Sequence, residues 1–121
     1  MSPGVWAAIA GLGGVGAVGR FLIDGAISQR AGRAFPWGTL VINLSGAFLL
    51  GLLNGLGLTG NALLLAGTAT LGSYTTFSTW MLETERLAEE ADTRGALVNL
   101  AVSIVAGVLA ATLGRAIGRA A

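Results

Sequence analysis

The sequence predicts an all-α membrane protein with four transmembrane helices, and three observations carry that prediction. The 121-residue chain is 54% hydrophobic and only 11% charged. Its charges fall in a few short stretches, and the gaps between them, residues 5–27, 38–58, 62–82 and 95–117, are each long enough to cross a bilayer. A helical crossing takes about 20 apolar residues. Four such helices packed into a water-soluble domain would leave almost no polar surface to face water.

The first span, 5–27, holds one charge well inside it, Arg20. It lacks a basic leading region and runs too long for a cleaved secretory signal, so it is expected to stay in the mature protein. About two turns from the helix end, Arg20 can snorkel to the interface or pair with Asp24 one turn on. At a pore mouth it would favour anions, and both readings stand. The second span, 38–58, carries Asn43 and Asn54. Asn43 reads on residue type first as an interhelical hydrogen bond, with an amide donor on an ion path as the second reading.

The third span, 62–82, retains most of the polar atoms: Thr68, Thr70, Ser73, Tyr74, Thr75, Thr76, Ser78 and Thr79, with Gly72 about halfway along. Back-bonding to carbonyls one turn earlier explains two or three hydroxyls, hardly all of them. Gly and clustered β-branched residues weaken helical propensity, so this span is expected to break near its middle, around Gly72 and the hydroxylated cluster, with a helix resuming after Gly72. Unwound backbone at that depth survives only when it is buried in protein or lines a cavity. Its carbonyls would suit a small hard cation and its amides and hydroxyls an anion.

The fourth span, 95–117, places Asn99 and Ser103 on one face at a spacing of four. Gly51 with Gly55 and Gly114 with Gly118 match the small-xxx-small pattern and are assigned to helix packing. GLGGVG at 11–16 has no preceding strand and lies within a span, so it is no nucleotide site. The connections are short, and 1–121 reads as a single domain. Residues 83–94 read as a helical extension in which Glu83 with Arg86, Arg86 with Glu90 and Glu90 with Arg94 sit three or four apart.

Alternating helices put Arg30, Arg33, Arg86 and Arg94 on one side of the membrane, against Arg115, Arg119 and the terminal amine on the other. Arginine bias sets orientation, and here it is nearly a tie. Insertion in both directions, with two copies pairing antiparallel, is the expectation.

The chain has no Cys, His or Lys, which excludes disulfides, thiolate or imidazole metal sites, Schiff bases and histidine acid–base chemistry. No residue in the spans could act as general base for the serines, so no catalytic residue is assigned and an enzyme is not expected. A net charge of +1 gives no basic surface for nucleic acid. A small proton-coupled multidrug exporter is the main alternative, but it needs a titratable carboxylate deep in the membrane. The deep charge is Arg20, with Asp24 nearer the end.

The string GSYTTFSTW, residues 72–80, resembles the signature GGFTTFSTF of the Fluc family of fluoride channels. GAVGRF at 16–21 is similar to the family's glycine and arginine element, and GTLVINLSGAFLLG at 38–51 to its asparagine-bearing helix. Glu83 follows the aromatic pair at the family's spacing, and the likeness covers nearly the whole chain. It implies a dual-topology antiparallel homodimer with two fluoride pores and a sodium ion (Na+) at the dimer centre. By this resemblance Gly72 and Thr75 would supply backbone carbonyls to the sodium, and Phe77 and Trp80 an aromatic box. Asn43, Ser78, Thr79 and Ser103 would line the path, with Arg20 near its entrance. A closely related second subunit would serve where one orientation is preferred.

Trp80 departs from the family's second Phe, Ser73 and Tyr74 from its Gly and Phe, and Asn99 stands where a tyrosine is common. The Trp80 indole N–H would either bind an anion or crowd the pore. Fluoride is small and tightly hydrated, so several close donors must replace its water: hydroxyls, an amide and the positive edges of rings. The resemblance thus implies passive, selective fluoride export across the cell membrane by a multi-pass protein, relieving fluoride toxicity.

Overall fold

The computed structural model describes all 121 residues, and the chain is helical almost throughout. α1 runs Pro3–Ala31, α2 Trp37–Gly55, α3 Gly60–Leu63, α4 Gly72–Tyr74, α5 Phe77–Glu89 and α6 Thr93–Ala120. A π-helical segment, Leu64–Leu71, joins α3 to α4.

Local chemistry sets the ends. The Ser2 hydroxyl accepts the Val5 amide at the start of α1, with proline in the first turn. Gly32 closes that helix with φ +79°, a left-handed conformation that suits glycine because it has no Cβ. Asp92 caps α6 by accepting the Gly95 amide at 2.8 Å.

α1, α2 and α6 are each long and apolar enough to cross a membrane. Their outward residues invert the soluble pattern: Val15, Phe21 and Leu109 are exposed, while the buried apolar core is confined to residues such as Leu40, Ile42 and Leu87. That inversion suits a hydrocarbon surround. The residues expected as a third span, 62–82, are divided among α3, the π-helical segment, α4 and the first half of α5.

α2 and α6 run parallel and form the principal helix pair. A Cβ on Gly51 would collide with the Ala111 carbonyl, one on Gly55 with that of Arg115, and one on Gly114 with that of Phe48. Backbone thus lies on backbone along the seam, which is how small residues bring membrane helices together. α1 packs on the other side, against the π-helical segment and α4, with Gly16 set against the Thr70 carbonyl.

The backbone of the third region differs from expectation in two ways. Gly72 is not where the helix stops, since its φ −62° and ψ −36° are helical. Instead Thr75 (φ −79°, ψ 160°) and Thr76 (φ −146°, ψ 120°) are extended between α4 and α5. The π-helical turns are the second difference. The Gly72 amide donates to the Gly67 carbonyl five residues back, and the Thr70 hydroxyl to that of Leu65 at 2.8 Å. Wide turns of this kind are rare and concentrate at functional sites.

Candidate ion pathway

Asn43, two turns into α2, holds the extended pair. Its Nδ2 donates to the Thr76 carbonyl at 3.0 Å and its Oδ1 accepts the Thr76 amide at 2.9 Å. Both main-chain groups of a buried residue outside any helix are therefore satisfied by one side chain, as buried backbone requires. Thr76 in turn caps α5, its hydroxyl accepting the Thr79 amide at 3.2 Å and lying 3.4 Å from the Ser78 hydroxyl. The partial positive charge of the α5 N-terminus is thus aimed at Thr76.

Thr76 lies between two spaces. On one side is an open groove of about 450 Å³ whose lining includes Asn43, Gly46, Thr68, Gly72, Thr75, Phe77 and Trp80. On the other is a cavity of about 220 Å³ lined by Ala17, Arg20, Phe21, Asp24, Thr39, Ile42, Thr76 and Thr79. A third cavity, of about 340 Å³, shares Asp24 and Thr79 with the second and adds Arg33, Glu83 and Arg86. The second and third therefore adjoin, and polar groups run from the arginine-rich end of the bundle inward to the extended residues.

Arg20 forms no ion pair with Asp24; the chain's one ion pair is Arg86 to Glu90 at 3.7 Å. Of the three charge pairs expected on the helical extension, only that one forms. Arg86 also reaches the loop between α1 and α2, donating to the Arg33 carbonyl at 3.0 Å. Glu83 accepts the Thr39 hydroxyl across the junction of the two cavities.

The rings of Phe77 and Trp80 meet edge to face, with centroids 5.7 Å apart and planes at 78°. Phe77 is 70% exposed. The Trp80 indole N–H is not free for an anion, because it donates to the Asn99 carbonyl at 3.2 Å.

A family model described as "CrcB-like protein, Camphor Resistance (CrcB)" matches residues 7–115. A protein of Mycolicibacterium paratuberculosis named "Fluoride-specific ion channel FluC 2" is 61% identical over 111 residues, covering 92% of this chain and 91% of that protein. One of the same name from Mycobacterium tuberculosis is 50% identical over 115 residues, covering 95% and 91%. "Fluoride-specific ion channel FluC 1" of Symbiobacterium thermophilum is 44% identical over 119 residues, covering 93% and 96%. The chain belongs to the CrcB-like family. It is a multi-pass membrane protein.

Within this CrcB-like chain the residues singled out from sequence fall into three groups. Asn43, Gly72, Thr75, Phe77 and Trp80 line the open groove, and Arg20 and Thr79 line the neighbouring cavity. Ser78 is exposed beside them, at the first turn of α5. Ser103 stands apart: it is half-buried on α6 and lines neither space. Other hydroxyls of the run serve packing. Tyr74 and Ser45 share a 3.0 Å hydrogen bond, and Ser73 lies against Gly13 and Gly16 of α1.

Sequence reasoning missed Thr39 and Thr84, and gave Thr76 no role of its own. A threonine just ahead of a helical run is an N-cap candidate by residue type, and that was the available signal. Nothing in the order of residues points from Thr39 to Glu83, which are 44 positions apart.

Proposed function

We propose that the chain is a fluoride channel through which fluoride leaves the cell passively, so limiting its toxicity. The observation that carries this reading is the buried, extended Thr76, gripped by Asn43 between two polar spaces with the α5 N-terminus aimed at it. Arg20, Asn43, Phe77, Ser78, Thr79 and Trp80 form the proposed path, and Ser103, which lines neither space, would belong to it only as a continuation on α6. Arg20, with no carboxylate in ion-pair range, draws anions to the entrance. Hydroxyls and ring edges then take the place of water around a small halide. The name shared by its relatives supports fluoride as the ion.

The four-span reading is proposed with it: residues 62–82 cross the bilayer as one interrupted helix. Irregular backbone tolerates no lipid beside it, yet the groove beside Thr75 is open and Phe77 is exposed. A second copy in antiparallel orientation would cover both, which supports the dual-topology homodimer. Sodium would be held by the carbonyls of Gly72 and Thr75. The Thr75 carbonyl fits that task, because it accepts no hydrogen bond within the chain and its residue lines the open groove with Gly72. When bound, the ion would supply the positive charge that lets carbonyls of two copies face one another.

Purified protein in liposomes, with fluoride and chloride each followed by a selective electrode, tests the channel. Fast fluoride loss, negligible chloride loss and indifference to a proton gradient are expected. Movement of drug cations without fluoride would overturn it in favour of an exporter. Cysteine accessibility from both faces of intact cells tests dual insertion. Labelling from one face only would replace the homodimer with a pair of related subunits.

A further inference from the structure

We propose that Asn99 and Thr84 are positioning residues that set the orientation of the Trp80 ring, an inference that rests on the channel reading above. Three hydrogen bonds close a ring between α5 and α6. The Trp80 indole N–H donates to the Asn99 carbonyl at 3.2 Å, Asn99 Nδ2 donates to the Thr84 hydroxyl at 2.8 Å, and that hydroxyl donates to the Trp80 carbonyl at 2.8 Å. Each member holds the next, and the last returns to the residue at which the circuit begins.

Asn99 is 1% exposed, and its amide faces Thr84 rather than any open space. Its side chain is therefore a strut and not a donor on the path, although its spacing from Ser103 had suggested a shared polar face. Buried polar groups satisfied in a closed circuit are rigid, because breaking one bond leaves its partner unpaired.

The circuit decides what Trp80 can offer an ion. With the indole nitrogen tied to α6, Trp80 lines the groove without a free N–H, and its plane stands at 78° to that of Phe77. Positive ring edges attract anions only when they are aimed. A tryptophan here thus works as an anchored ring, with its N–H spent on holding the ring in place.

The test uses full-length protein carrying Trp6→Phe and Trp37→Phe, so that Trp80 is the sole indole. Two readouts are taken: fluoride efflux from liposomes, and the ¹⁵N–¹H indole resonance with its solvent-exchange rate. Thr84→Val keeps the side-chain shape and removes the hydroxyl. It is expected to shift the indole resonance, speed its exchange and slow efflux by about threefold to tenfold, the scale of one buried hydrogen bond. Thr84→Ser is expected to restore both readouts. Asn99→Leu is expected to reproduce Thr84→Val, and an unshifted indole resonance in a folded Asn99→Leu protein would remove Asn99 from the positioning role.

An unshifted indole resonance in Thr84→Val, or a shifted one with full-rate efflux, would overturn the positioning role. Slower efflux with no indole shift would overturn it too, by assigning the hydroxyl another task. A parent protein that passes no fluoride would bring down the channel reading and this inference together. It is told apart from failure of the circuit alone, in which parental efflux is intact.

Discussion

Replacing Asn43 with Ala should free the extended backbone at Thr76 before it does anything else. The wild-type amide makes two hydrogen bonds to Thr76, at 3.0 and 2.9 Å, and Thr76 is 8% exposed, so water does not readily take its place. A buried hydrogen bond contributes about 1 kcal/mol net, so the pair contributes about 2 kcal/mol to holding this residue. At tenfold per 1.4 kcal/mol, local opening becomes about 30-fold more frequent. Hydrogen exchange resolved to the Thr76 amide reads that number directly, with the amides of α2 and α6 as internal controls. Fluoride efflux alone would not discriminate, because a lost pathway donor and a loosened backbone both slow it. If Thr76 exchange stays within about twofold of wild type, Asn43 does not hold the extended pair, and the account of the site as a gripped interruption fails.

Gly114→Ala should destabilise the α2–α6 pair by about 1–3 kcal/mol, because the added Cβ would meet the Phe48 carbonyl and Leu52 amide with no room to shift. Thermal unfolding in detergent measures it. Gly25→Ala, which meets nothing within 4 Å, is the control expected to be neutral or slightly stabilising. Phe77→Ile should slow or abolish fluoride efflux without lowering the unfolding temperature of the protein; full-rate efflux would remove Phe77 from the path. Arg20→Gln should slow efflux several-fold in dilute buffer and progressively less as salt rises, since the screening length falls from about 30 Å at 0.01 M to about 3 Å at 1 M. An equal deficit at both salts would mean that Arg20 acts by shape or hydrogen bonding and not through its field.

What the residue order made legible and what it hid differ in physical kind. Runs of uncharged residues announce membrane helices because the cost of a buried charge is large and local, and α1, α2 and α6 follow directly from it. The glycine pairs 51/55 and 114/118 announce close packing for the same reason, since only a missing Cβ permits backbone contact. The interruption is a subtler matter. Gly72 has the weakest intrinsic helical preference in its neighbourhood, yet it is helical, while the two threonines after it are extended. Propensity differences of about 1 kcal/mol or less per residue favour Gly72 as the break. Two hydrogen bonds from Asn43, a residue 33 positions away, outweigh that and pull Thr76 out of the helix instead. The same logic explains Trp80. Its type left open a donor for an anion or a crowded pore, but the partner that consumes the donor is a main-chain carbonyl on α6, and a backbone atom leaves no mark in sequence. Side chains that bond to distant backbone therefore decide where this helix opens and which way its rings point. Substitutions at Thr84 and Asn99, which bond to Trp80 and to each other rather than lining the groove, are accordingly expected to slow conduction measurably, though less than Phe77→Ile.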